Sequence, residues 1–106
     1  MDYRLKKEKD FNLVFKKGKK VYSGSLTMVY IESDELKAGF AVGKKHGCSV
    51  KRNRLKRVLR ESFRSFIPYI SKNFYFVFIP RVSDKELPTD TYKKDMGYVF
   101  KKCGII

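Results

Sequence analysis

Residues 49–64, SVKRNRLKRVLRESFR, constrain the fold of this chain most, because they carry seven basic side chains in sixteen positions and still repeat apolar residues at helical spacing. On a helical wheel, the residues that share one side and would pack on a sheet are Leu55, Val58, Leu59, Ser62, Phe63 and Phe66. Ser49 is of a type that caps helix N-termini, and Pro68 lies just past the last apolar residue. The pattern predicts a helix with Ser49 as its N-cap that ends near Phe66.

The opposite side of this predicted helix is strongly basic. The residues that gather there are Asn53, Arg54, Arg57 and Arg64, with Arg60 at the edge, and Arg52 and Lys56 fall beside the apolar side. Only Glu61 is acidic in this stretch, so ion pairs along the helix cannot balance the charge. Arginine outnumbers lysine, and the planar guanidinium of arginine can donate two parallel hydrogen bonds to phosphate oxygens, which the lysine ammonium group does less well. The stretch therefore favours nucleic-acid binding over a merely solvated helix face.

The segment just before this helix, GKKHG at residues 43–47, adds Lys44 and Lys45 between two glycines. Glycines let backbone N–H groups approach a phosphate closely, which suits an anion contact. Taken alone, the segment is better interpreted as a strand-to-helix turn with two solvated lysines, and only the basic helix beside it favours the anion contact. The GxxxxGK[ST] spacing of nucleotide-hydrolase phosphate loops is absent.

The rest of the chain predicts strands and two further helices. Residues 8–17 place Phe11, Val14 and Phe15 at helical spacing, and Gly18 ends that helix. Residues 25–31 and 36–42 have strand composition and predict an antiparallel hairpin, with a further short strand near residues 20–22. Residues 73–80 are continuously apolar, which predicts a central strand.

A last helix is predicted to begin near Thr89 or Asp90. Its apolar side is formed by Tyr92, Met96, Val99, Phe100 and Cys103. The order of elements predicts an α+β fold, an α/β two-layer sandwich of a four-stranded sheet with about three helices. At 106 residues, we expect residues 1–106 to form a single domain.

Composition narrows the class of partner. Lys and Arg number 25 against 11 acidic residues, a formal charge of +14 that points to a polyanion. Hydrophobic residues make up 42% of the chain, too many for a disordered basic tail. Cys48, Cys103 and His46 cannot supply four zinc ligands. Without an apolar run of membrane-spanning length or a signal-peptide core, we expect a cytoplasmic protein that binds no membrane.

Two features of the apolar pattern permit more than one interpretation. Phe11 and Phe15 lie four positions apart on one short helix, where core packing is the ordinary role and base stacking at the sheet rim is the functional one. Gly39, Ala41 and Gly43 alternate onto one strand face. Such a strip of small residues fits either a single strand of nucleic acid lying against the sheet or a strand packed tightly under a helix.

Residues 39–64, GFAVGKKHGCSVKRNRLKRVLRESFR, resemble the signature of the bacterial ribonuclease P protein subunit: a strand, a Lys-Lys-x-Gly turn and a helix opening with Arg-Asn-Arg-x-x-Arg. Positions Gly47 and Val50 match it as well, and residues 4–19, RLKKEKDFNLVFKKGK, resemble the family's opening helix. The resemblance implies a ribosomal-protein-like α/β sandwich with a left-handed crossover. It also implies an accessory subunit of ribonuclease P, in which a catalytic RNA removes the 5′ leader of precursor tRNA by Mg-dependent endonucleolytic cleavage.

The resemblance and the basic helix together predict the site residues. Contacts with the catalytic RNA are expected from Lys44, Lys45, Arg52, Asn53, Arg54, Lys56, Arg57, Arg60 and Arg64. Contacts with the leader are expected from Phe11, Phe15, Tyr30, Arg52 and Lys56. Tyr30 enters as the aromatic neighbour of Val29, which occupies the family's aromatic position in an ungapped register.

No catalytic site of the protein's own is predicted. The carboxylates near the last helix, Asp84, Glu86, Asp90 and Asp95, have no repeated spacing, so Mg²⁺ is expected to be bound mainly by the RNA. The expected partners are the catalytic RNA and the precursor tRNA leader, with no obligate protein partner. The alternative function is that of a structural, ribosomal-type RNA-binding protein on the same scaffold, which would lack the signature at residues 39–64.

Overall fold

The computed structural model describes residues 3–82 and 87–106 and contains three α-helices and four strands. In chain order these are α1 (Glu8–Lys17), β1 (Lys19–Tyr22), β2 (Leu26–Glu32), β3 (Lys37–Phe40), α2 (Ser49–Phe66), β4 (Phe74–Pro80) and α3 (Thr89–Lys102). Short 3₁₀ turns flank α2, at Lys44–His46 and Ile67–Tyr69. Asp84 and Glu86 lie outside the described residues. No helix in the described ranges is both long and apolar enough to cross a membrane.

The four strands form one mixed sheet in the order β1-β2-β4-β3. β2 pairs antiparallel with both β1 and β4, and β3 pairs parallel with β4. The predicted hairpin between residues 25–31 and 36–42 is therefore wrong, because β4 lies between these two strands. β4 is buried along most of its length, which confirms its predicted central position and explains why it displaces the local pairing.

Alternate residues of the strands pack into two separate cores. On one face Met28, Phe76 and Phe78 are fully buried against α2 and α3. On the other face Val29 and Val77 are fully buried with Val14 of α1. The sheet with α2 and α3 thus forms the predicted sandwich, and α1 covers part of the reverse face.

The last helix confirms its predicted start and apolar side. Tyr92, Met96, Val99 and Phe100 are buried against the sheet and α2. Gly97 in the middle of α3 is also buried, and a β-carbon added there would lie 3.1 Å from the Phe66 ring of α2. The glycine therefore lets two helices approach closely, which offsets its low helix propensity.

The start of α2 differs by one residue from the prediction. The helix begins at Ser49, its N-cap is Cys48, and no side chain caps it. The Ser49 hydroxyl instead accepts a hydrogen bond from Nη2 of Arg52 at 3.2 Å. The prediction that Ser49 is the N-cap is therefore wrong. Its hydroxyl binds a side chain of the first turn and not a backbone N–H.

Candidate nucleic-acid interface

Helix α2 turns its apolar side to the core and its basic side to solvent, as the wheel predicts. Leu59, Ser62 and Phe63 are buried. The side chains that face solvent are Asn53, Arg54, Arg57, Arg60 and Arg64, called here the α2 ridge. Arg57, Arg60 and Arg64 form no ion pair with any carboxylate among the described residues. These three arginines therefore present positive charge that no carboxylate among the described residues pairs with.

Arg52 and Lys56 lie beside the ridge and are half-buried. Besides its bond to Ser49, Arg52 has its Nε atom buried with no hydrogen-bond partner in the described structure. A buried unpaired donor is costly, so the position of Arg52 is set by the packing around it. Arg52 and Lys56 thus expose less of their side chains than the arginines of the ridge.

The turn before α2 presents Lys44 and Lys45 to solvent. His46 fixes this turn: Nδ1 accepts a hydrogen bond from the Gly43 N–H at 3.1 Å, and Nε2 donates to the Pro80 carbonyl at 2.8 Å. Gly47 has φ of 112°, a left-handed conformation that favours glycine. The sequence carries no signal for this role of His46, because its partner Pro80 lies far away in the chain.

Phe11 and Phe15 occupy different environments on α1. Phe11 is half-buried over β3, where a β-carbon on Gly39 would overlap its ring. Phe15 is exposed, with 39% of its surface accessible. Beside α1 the same sheet face remains half-open at Thr27, Ala41 and Ile79. At Gly39, therefore, the small residue serves tight packing of the strand beneath a helix. Phe15 is the ring that remains accessible at the rim of the sheet.

Tyr30 lies on the opposite face of the sheet from Phe11. Its ring packs against Phe74 and Phe76, with centroid separations of 5.8 and 6.3 Å. Burial raises the pKa of the Tyr30 phenol, and a side-chain hydrogen bond with Cys103 raises this pKa further. Val29, the neighbouring candidate, is fully buried beneath α1. The structure thus does not bring Tyr30 together with Phe11 and Phe15.

Comparison with known proteins identifies the family to which this chain belongs. The Ribonuclease P family profile matches residues 1–104. The ribonuclease P protein component of Oceanobacillus iheyensis is 34% identical over 98% of this chain and 88% of its own length. That of Clostridium beijerinckii is 38% identical over 99% of this chain and 91% of its own length. The chain belongs to the ribonuclease P protein family.

Solved structures of ribonuclease P proteins share the fold. The protein from Staphylococcus aureus aligns with a TM-score of 0.87 at 29% identity and covers 99% of this chain and 98% of its own. The protein from Thermotoga maritima aligns with a TM-score of 0.82 at 30% identity and covers 93% and 96%. This chain is accordingly a bacterial ribonuclease P protein subunit, a component of a tRNA-processing ribonucleoprotein.

The predicted leader-binding residues are divided between the two faces of the sheet in this ribonuclease P fold. Phe11 and Phe15 sit with α1 on one sheet face, and Arg52 and Lys56 sit with α2 on the other. Both helices reach β3, an edge strand of the sheet: the Phe11 ring of α1 covers Gly39, and α2 contacts the same strand. A single ligand that contacts both pairs of residues would therefore pass around an edge of the sheet, and β3 is an edge strand that both helices reach.

The described residues of this ribonuclease P protein do not fit a metal site. No three His, Cys, Asp or Glu side chains within residues 3–82 and 87–106 lie close enough together to hold a metal ion. The α2 ridge is the wrong environment for a cation, since positive charges repel one another. Such a surface suits polyanions.

Proposed function

We propose that this chain binds the catalytic RNA of ribonuclease P through the α2 ridge and the Lys44–Lys45 turn. The observation that carries the proposal is that Arg57, Arg60 and Arg64 are exposed on α2 and form no ion pair with a carboxylate among the described residues. Guanidinium groups bind phosphate oxygens through paired hydrogen bonds. Phosphate contacts fix position without reading sequence, which suits the surface of a folded RNA.

The 5′ leader of precursor tRNA is proposed to bind on the other sheet face, beside α1. Phe15 offers an exposed ring there, and Phe11, on the same helix, lies over β3. Base–aromatic stacking contributes about 1–3 kcal/mol per base and tolerates any sequence, which suits leaders that differ between tRNAs. Arg52 and Lys56 would reach this leader at the β3 edge.

Bond cleavage is assigned to the RNA in this proposal. Mg²⁺ would be held mainly by the RNA and would supply the charge stabilisation of phosphodiester hydrolysis. The protein orients the leader and adds positive charge near the RNA, in the cytoplasm where tRNA matures. Its own side chains take no part in proton transfer.

A pair of single substitutions separates the two surfaces. Phe15→Ala should weaken binding of precursor tRNA to the assembled holoenzyme about 5- to 100-fold and leave affinity for the catalytic RNA unchanged. Leu13→Ala is the matched control, since Leu13 lies on the same helix with 38% of its surface exposed. Arg57→Ala should do the reverse and weaken binding of the catalytic RNA. Equal losses of both affinities in Phe15→Ala and Arg57→Ala would contradict the division.

A further inference from the structure

An open groove of about 700 Å³ lies between the N-terminal segment, the edge strand β3 and the C-terminal half of α2. Its floor includes Ala38 and Phe63, both buried members of the core on the α2 side of the sheet. The groove is therefore on the face opposite to Phe11 and Phe15. Its volume falls within the range of pockets that hold a small organic ligand.

The aromatic walls of the groove are already fixed in place. The Tyr3 carbonyl accepts a hydrogen bond from the Ala38 N–H at 2.7 Å, which ties the N-terminal segment to β3. The ring of Phe40 stacks on buried Phe78 with centroids 5.9 Å apart and planes 19° apart. Tyr3 and Phe40 both line the groove and both remain half-exposed. A flat ligand would therefore meet the ring of Phe40, which is already stacked, and the ring of Tyr3, whose backbone is anchored to β3.

The rim of the groove is cationic. Arg60 and Arg64, one helical turn apart on α2, line it with exposed side chains and form no ion pair with a described carboxylate. None of the described residues that line the groove is acidic. A flat apolar floor beneath two guanidinium groups matches a nucleotide, which has an aromatic base and an anionic phosphate.

We infer that this groove binds one unpaired nucleotide of the catalytic RNA, with its base against Tyr3 and Phe40 and its flanking phosphates at Arg60 and Arg64. The inference rests on the proposed function and adds a base contact to it. Arg60 and Arg64 continue the α2 ridge, so the nucleotide belongs to the RNA bound there and not to the leader. Folded RNA is recognised at such extruded bases, which stack on aromatic side chains.

The direct test is zero-length ultraviolet crosslinking of the full chain to ribonuclease P RNA, with adducts mapped by mass spectrometry. We expect nucleotide adducts on Tyr3 or Phe40. Adducts confined to α1 and the N-terminal half of α2 would overturn the inference while the proposed function stands. Adducts on Tyr3 or Phe40 formed by the precursor tRNA leader, and not by the catalytic RNA, would overturn it as well.

The affinity of the protein for the catalytic RNA provides a second test. Tyr3→Leu keeps an apolar side chain but removes the ring. It should weaken binding of the catalytic RNA about 5- to 100-fold. Once enough catalytic RNA is present to bind all of the protein, the affinity of the complex for precursor tRNA should be unchanged. Tyr69→Leu is the control, because Tyr69 is exposed next to the groove residue Pro68 but does not line the groove. Equal effects of the two substitutions would contradict a base site. If the unaltered protein itself failed to bind the RNA, the proposed function would fall and this inference with it.

Discussion

Gly39 determines how Phe11 is presented to the solvent. Phe11 lies so close to β3 that any side chain at position 39 would displace it. The Phe11 ring is therefore seated on backbone, and its exposed part forms the boundary between α1 and the open sheet face. The absence of a side chain at Gly39 thus allows Phe11 to pack on the strand and also shapes the proposed leader surface.

Gly39→Ala should destabilise the fold and weaken leader binding together. The added β-carbon forces Phe11 to move, and overpacking of this kind costs about 1–3 kcal/mol of unfolding free energy. Urea denaturation and precursor tRNA affinity measure the two effects. Gly43→Ala is the matched control, since a β-carbon there meets nothing within 4 Å. A Gly39→Ala protein as stable as Gly43→Ala would contradict the close seating of Phe11.

Cys48 should be more reactive than an ordinary cysteine. A hydrogen bond with the backbone of Lys51 is the main cause that lowers the pKa of this exposed thiol. Desolvation opposes it, and a hydrogen bond with the backbone of Val50 and the charge of Lys51 lower the pKa further. The thiolate should therefore persist to lower pH, and alkylation by iodoacetamide should reach half its maximal rate at a lower pH than for a free cysteine in a short peptide. Cys48→Ser gives the background from Cys103. A half-maximal rate at or above that of a free thiol would contradict the lowered pKa.

At the scale of elements, the sequence predicts what depends on local periodicity. The orientation of α2, the central position of β4 and the apolar side of α3 all follow from spacing and composition, and the structure confirms them. The partner of a strand depends on residues far away in the chain. The short polar turn between β2 and β3 favours a hairpin, yet the mostly buried strand β4 lies between them.

Site residues on helices were easier to place than those on strands. A one-position shift along a helix turns a side chain by about 100°, so the ridge on α2 survives small errors of register. On a strand the same shift moves a side chain to the opposite face. Val29 and Tyr30 therefore point into different cores, and no sequence pattern tells which of them faces α1.

The α2 ridge predicts a specific salt dependence. Each lost phosphate contact should reduce the slope of log K against log salt by about 0.7–0.9 for the catalytic RNA. Arg57→Ala should show this reduction. Lys93→Ala on α3 removes the same charge from an exposed position outside the ridge and should leave the slope unchanged. Equal changes in both variants would show that net charge, and not the ridge, sets the affinity.

At the scale of the whole molecule, a formal charge of +14 works against a compact chain of 106 residues. The sorting of charge onto exposed helix faces keeps it away from both cores. Anions that bind the native protein and not the unfolded chain should relieve this repulsion and add stability. The protein is thus expected to be most stable when its RNA is bound.

Sulfate should raise the melting temperature of this protein more than chloride at equal ionic strength. Because sulfate also stabilises proteins by exclusion from their surfaces, the informative comparison is with Arg57→Gln/Arg60→Gln. This variant removes two adjacent positive charges of the ridge, so the sulfate effect should shrink. An undiminished sulfate effect in the variant would mean that the ridge binds no anion.

The most direct test of the division between protein and RNA is reconstitution at low magnesium. Precursor tRNA is incubated with a bacterial ribonuclease P RNA, with this protein, or with both, and release of the 5′ leader is measured. We predict slow or no cleavage by the RNA alone, none by the protein alone and rapid cleavage by the mixture. Cleavage by the protein alone, or a mixture no faster than the RNA, would contradict the central claim that this chain binds and positions RNA while the RNA breaks the bond.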